Sequence, residues 1–171
     1  KVTTPAKYGK IGNLFQSQSF VDLTNGKTNA YTSTIDDGLK AQMVIDAALK
    51  SAADFLTLYE SIPNPDISST PIRKTFYGQV PRTAREMYEH TKNVNAYYFG
   101  EIGVAADNEG DILQCRCRGF ETLEKQPHFL ENPVFEGSWD EDWTLRKLLR
   151  RFIWHDRLHG RAMLRMMKRT F

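Results

Sequence analysis

Two histidines four residues apart in the stretch HDRLH, His155 and His159, fall on the apolar face of a long C-terminal helical pattern. That stripe runs Leu145, Leu148, Phe152, His155, His159, Ala162 and Met166, each three or four residues on, so all seven face one way. An imidazole on such a face needs a strong hydrogen-bond partner or a metal ion. His90 repeats the placement on a second helical pattern, in line with Met87, Val94 and Tyr97. Residues four apart on a helix rise ~6 Å and lie nearly one above the other, so His155 and His159 can grip one ion from adjacent turns. His90, from a facing helix, would complete three nitrogens and leave a fourth position for water or substrate. Three protein ligands with an open position is the pattern of catalytic zinc, whereas structural zinc is normally closed by four. The plainer alternative is a hydrogen-bonded core histidine, the usual fate of a lone one, but three inward histidines among only four in the chain favour the metal. The fourth, His128, lies in a loop beside Pro127 and is expected to be exposed and not a ligand.

Other chemistry-bearing residues give weaker signals. HDRLH can be compared with the HExxH metalloprotease motif, with Asp156 in the general-base position, but Asp is one methylene shorter than Glu and no His, Asp or Glu follows His159. Asp156 is better read as a residue supporting the ligands or pairing with a nearby Arg. Glu101, eleven residues beyond His90 near the same helical face, is a candidate for acid–base work, and a surface or interhelical ion pair is the competing role. Tyr97 lies near the same stripe as His90 and completes the weak catalytic candidates. Cys115 and Cys117 are two apart, so on a helix they diverge by about 200° and cannot clasp one ion. Cys117 reads as core packing, and Cys115 carries little sign of thiol chemistry. There is no Walker loop, serine elbow or CxxC pattern.

Elements must position these residues. The 171 residues, 40% apolar, suit one domain with an N-terminal extension. Residues 1 to 33 look extended, with Phe20, Val21 and Leu23 leading into Asn25-Gly26 and then Ala30, Tyr31 and Thr32, a hairpin pattern. From Thr34, paired with Asp37 as a cap, the period turns helical, with Ile45, Leu49, Ala52, Leu56 and Tyr59 on one stripe up to Pro63 and Pro65. A loop through Pro71 and Gly78 is long enough to cross a bundle. A second helix starts at Thr83, boxed by Glu86, and stops near Gly103. A third spans about Asp111 to Glu124 on Leu113, Cys117 and Phe120, weakened by Gly119. Ser138 with Glu141 reads as the capping box of the fourth, with Asp140, Glu141 and Asp142 at its positive end. Four amphipathic helices need one another, and the expectation is an all-α, up-down four-helix bundle over residues 34 to 171.

The stretches PRTAREMYEH, EHTKNVNAYYFGEIG and LRKLLRRFIWHDRLHGRAM resemble a bacterial branch of the DinB-like (YfiT-like) four-helix metalloproteins. Members of that family are bundles with a three-histidine metal site, one ligand on the second helix and an HxxxH pair on the last. His90, His155 and His159 match those positions one by one. The resemblance implies a metal-dependent enzyme, in a range from transferases and isomerases using thiols such as bacillithiol or mycothiol to hydrolases. A zinc or nickel ion is the expected cofactor, and a small molecule, with a low-molecular-weight thiol among the candidates, is the expected partner. A homodimer is allowed for. The competing class is a non-catalytic, metal-stabilised bundle, or a binding protein whose basic last helix takes an acidic partner. No apolar run approaches the ~18 residues of a membrane span and no secretory signal is evident, so a soluble cytoplasmic protein is expected and no membrane partner.

The charge is polarised: residues 145 to 171 carry a net +8 and the remainder −6. Arg146, Lys147, Arg150, Arg157, Arg161 and Lys168 lie mostly off the apolar stripe, as a solvated helix face does, rather than tracking a phosphate backbone. No specific nucleic-acid binding is therefore expected. Titration with DNA and RNA at physiological salt should give dissociation constants no tighter than about 10⁻⁶ M, and a tighter, steeply salt-dependent complex would refute this reading.

Overall fold

The computed structural model describes residues 35–170 apart from 69, 77 and 128, with side chains from residue 40 onward. The expected hairpin at Asn25-Gly26, the Thr34–Asp37 cap and His128 lie outside the described residues. Four helices make up most of the rest: α1 (Ile35–Glu60), α2 (Ala84–Gly100), α3 (Ile112–Leu123) and α4 (Leu145–Thr170). Two short antiparallel ribbons sit in the long connections, β1 (Lys74–Thr75) with β2 (Gly78–Gln79), and β3 (Phe135–Glu136) with β4 (Asp142–Trp143). No described helix is long and apolar enough to cross a membrane.

The helices start where their sequences satisfy free backbone N–H groups. Thr83 and Glu86 form the expected reciprocal box at α2, and Asp111 with Gln114 forms another at α3. At the end of α2 the N–H of Val104 donates to Phe99 and that of Gly103 to Gly100, with Gly103 at φ +72. This left-handed stop suits a glycine. The fourth helix departs from expectation. Ser138–Asp140 is a 3₁₀ turn and Asp142–Trp143 is a strand, so α4 begins only at Leu145, with Thr144 Oγ1 accepting from the Lys147 N–H at 3.2 Å. Glu141 caps nothing there. It pairs instead with Arg151 and Lys147.

The direction of each helix follows from two apolar clusters stacked along the bundle. One joins Ile45 and Leu49 to Tyr98, Phe99, Phe120, Leu148 and Phe152; the other joins Phe55 and Ile62 to Met87, Tyr88, Ile112 and Met163. Reading each helix between the clusters gives the order up, down, down, up. The strictly alternating up-down expectation is thus corrected. The cause is the connection from Glu101 to Asp111, which runs back the length of α2 before α3 begins. Asn95 Nδ2 donates to the Asp107 carbonyl at 2.8 Å and to that of Cys115 at 3.2 Å, Asn108 brackets α2 at Asn93 and Ala96, and the Ile112 N–H donates to the Tyr88 hydroxyl. Around the bundle, α1 packs on α4 and α3, and α2 packs on the same two, so α1–α2 and α3–α4 are the diagonals.

Between the two apolar clusters lies a belt of buried polar side chains: Thr91, Asn95, Arg116, His155, Asp156 and His159. Helix α1 crosses this level on Ala48 and Ala52, both fully buried, so its backbone comes close and leaves the belt to the other three helices. The expected stripe on α1 is shifted accordingly, with Phe55 in the core and Leu56 and Tyr59 at its edge. The basic residues Arg146, Arg150, Arg157, Arg161 and Lys168 are exposed as expected, whereas Lys147 turns in over the Trp143 ring.

Close packing of α2 on α3 depends on Gly119. A Cβ there would lie 2.1 Å from the ring of Phe99, itself fully buried between Phe120 and Phe152. On an exposed helix Gly→Ala is stabilising, but here overpacking dominates. Gly119→Ala should lower stability by about 1–3 kcal/mol, read as an earlier urea midpoint; an unchanged or later midpoint would show that the helices part freely.

Candidate metal centre

His155 and His159 project from successive turns of α4 in the polar belt, 5% and 8% exposed, and both face α2. His90 meets them from α2 but is itself exposed. This differs from the sequence reading of three inward rings. The buried face of α2 runs through Ala84, Met87, Thr91, Asn95 and Tyr98, so His90, Val94 and Tyr97 form its margin. The polar types at positions 91 and 95 had hidden that face. The consequence is a cluster closed on two sides and open to solvent on the His90 side.

One nitrogen from each ring lies within 4.8 Å of the others, and the Nε2 atoms of His90 and His155 are 3.2 Å apart. Imidazole nitrogens each bound about 2.0–2.1 Å from a tetrahedral ion would stand roughly 3.3 Å apart. The three rings are mutually edge-on, with interplanar angles of 76°, 77° and 75° and centroids 4.9, 5.1 and 4.8 Å apart. Three ring nitrogens thus approach one another from three planes, a donor set that suits a borderline ion. His155 Nδ1 is buried without a partner among the described residues, so the Nε2 side is where this ring makes its polar contact.

The electrostatics keep the rings neutral. Burial, reinforced by the neighbouring His159 and His90, drives His155 down to about 3; burial, then His90, drives His159 down to about 4. His90, though open on one side, is lowered by desolvation of the other. Neutral imidazole is the form that binds a metal.

Asp156, next to His155, points away toward α3 and is held in two hydrogen bonds by Arg116, at 2.6 and 3.1 Å. Both side chains are buried, and the guanidinium also lies 4.2 Å over the Phe152 ring. Asp156 therefore meets the expectation of an Arg partner, both of its carboxylate oxygens being taken by Arg116. Arg116 was missed by the sequence reading, although its spacing with Ile112, Gly119 and Leu123 placed it on a buried stripe. Glu101 is not at the cluster. Three turns from His90, it accepts the Ser138 N–H at 2.7 Å and a bond from Tyr97, which hold its carboxyl below the usual range despite burial. Tyr97, half exposed, belongs to that bracket, and burial with the Glu101 bond pushes it up to about 12. Both cysteines are buried, and burial raises the Cys115 thiol, which suits packing rather than reactivity.

The depressed histidines set a pH dependence for protein stripped of metal. The unfolded chain takes up these protons near pH 6.5 while the folded one resists to about 3 and 4, so their contribution is present above 6.5 and is lost as pH falls toward 4. The unfolding free energy of chelator-treated protein, from urea titrations, should fall over that window by up to about 1.4 kcal/mol per pH unit for each proton, and thermal midpoints should fall with it. His155→Asn should flatten the slope; equal slopes in both proteins would refute the assignment.

Compared with known proteins, the chain matches no family model, no curated protein and no solved structure.

Proposed function

We propose that His90, His155 and His159 hold one divalent ion, zinc or nickel, and that the chain is a metal-dependent enzyme of the DinB-like kind, acting as a thiol-dependent transferase or a hydrolase. The observation that carries this reading is the convergence of three imidazole nitrogens within 4.8 Å, two from buried rings and one from an exposed ring. An ion there supplies the acidity that turns a thiol or a water into a nucleophile at neutral pH. The protein's own part is positional. The burial of His155 and His159 fixes two donors and excludes water from behind them, while the exposed His90 leaves one approach for a small molecule. Glu101, Asp156 and Tyr97 are each engaged elsewhere, so none is assigned a proton-transfer role. Imidazole suits zinc and nickel alike, and availability would choose between them.

The burial of two of the three rings also favours a second reading, in which the ion only braces α2 against α4. The two readings part on one variant. Protein purified without added metal should contain a single divalent ion per chain by elemental analysis. His155→Ala should lose that ion and any thiol-transfer or hydrolytic activity together while its far-ultraviolet circular dichroism stays helical, and Tyr97→Phe should keep the metal. Unfolding of His155→Ala in proportion to metal loss would make the ion structural. Absence of any stoichiometric metal, as purified or after reconstitution, would end the proposal.

A further inference from the structure

Beside the histidines, on the same helix, a second group of side chains is arranged around Arg151. It lies one turn before His155, so the two project from the same side of α4, about 6 Å apart along the axis. Its guanidinium carbon sits 5.9 Å from the ring centroids of both Trp143 and Trp154. Trp154 in turn lies nearly parallel to the His155 ring, 12° between planes and 6.1 Å between centroids, and is half exposed. Tyr97, also part exposed, stands on α2 two turns from His90 toward the same end, and packs edge-on to Trp143. The open side of the histidine cluster therefore continues into a seam with aromatic surface and one guanidinium.

That guanidinium is only partly satisfied. One Nη donates to Glu141 at 3.0 Å, and the same carboxylate also pairs with Lys147 at 3.4 Å. Lys147 also feels the Glu101 carboxylate, so Glu141 is not the sole counter-charge of the pair, and Arg151 Nε and its other Nη have no hydrogen-bond partner among the described residues. The other arginines of α4, Arg150, Arg157, Arg161 and Arg165, are exposed and line a groove on the outer face of the helix that Trp154 also borders. Arg151 alone is both half-buried and next to the centre.

A half-buried guanidinium with N–H groups to spare, set against aromatic walls, favours an anion joined to an apolar body. Resting on the metal-centre reading above, we infer that Arg151 is the anion subsite of the histidine centre and that the small molecule taken there is a carboxylate carrying an apolar, aromatic-sized group. Its carboxylate meets the free donors of Arg151 and its body lies along Trp154, which brings the rest of the molecule toward the open side of His90.

Benzoate and its uncharged analogue benzamide test this, with tryptophan fluorescence as one readout and the visible spectrum of cobalt-loaded protein as the other. Benzoate should quench the emission saturably and bind more tightly than benzamide by about tenfold or more, the worth of a charge-assisted hydrogen bond. Arg151→Gln should erase that advantage, and Arg151→Lys, which keeps the charge without the fork, should retain part of it. Benzoate should also perturb the cobalt spectrum. Equal affinity for the two ligands, or an advantage that survives Arg151→Gln, overturns the subsite; quenching with an unchanged cobalt spectrum overturns its link to the centre. Failure to take up cobalt would instead count against the metal centre, and fluorescence titration of the metal-free protein still decides the role of Arg151.

Discussion

The buried pair of Arg116 and Asp156 is the interaction on which the arrangement of this bundle turns. Both charges are out of water, at a cost of several kcal/mol each, and only a near-ideal bidentate contact offsets such a cost. The pair spans the α3–α4 diagonal, where little backbone packing holds the helices together. Because Asp156 follows His155 directly, pointing Asp156 at Arg116 fixes the rotation of α4 about its own axis. The rings of His155 and His159 then have one direction left, toward α2. Removing either charge would strand the other in the core, so the orientation of the histidines and the integrity of the core are one problem.

The polar belt makes sense of the two apolar clusters around it. A core apolar throughout could slide by a turn with little change in its contacts. Here each partner is specific: Asn95 reads the carbonyls of Asp107 and Cys115, Tyr88 receives the first N–H of α3, and Tyr59 stacks on Tyr88 at 4.2 Å across the other diagonal. A shift of one turn would unpair these groups, each costing about 1–3 kcal/mol when buried. The belt sets register, and the clusters supply the bulk of the burial.

What could be read from sequence divides along the same line. The stripe of α4, the His155–His159 spacing and the Thr83–Glu86 box are local, written within a few residues of one another, and all appear in the structure. The true buried face of α2 was obscured because Thr91 and Asn95 are polar, and a period built on apolar residues settled on its margin instead. Arg116 needs a partner forty residues away to be buried, which no local pattern reveals. Ser138 and Glu141 satisfied the spacing of a capping box, yet the ribbon of β3 and β4 claims that segment, and Gly137 permits it: a Cβ there would run into Trp143, Glu101 and the Glu141 carbonyl. The return run after α2, and with it the direction of α3, follows from Asn95 and Asn108, ordinary loop-contacting residues in any one-dimensional reading.

The order up, down, down, up has an electrical consequence. The amino ends of α2 and α3 share one end of the bundle with the carboxyl ends of α1 and α4. Each helix end carries roughly half a unit charge, so two positive and two negative ends cancel at either extremity and the scaffold as a whole has almost no axial dipole. Such end effects fade within a turn in any case, and all three histidines sit beyond the first and last turns, His155 and His159 about three turns from either end of α4. The potential at His155 is thus the work of burial and its immediate neighbours, His159 and His90 first, then Arg116 and Arg151. Changing Arg116 or Arg151 would retune the centre without help or hindrance from the helices that carry it.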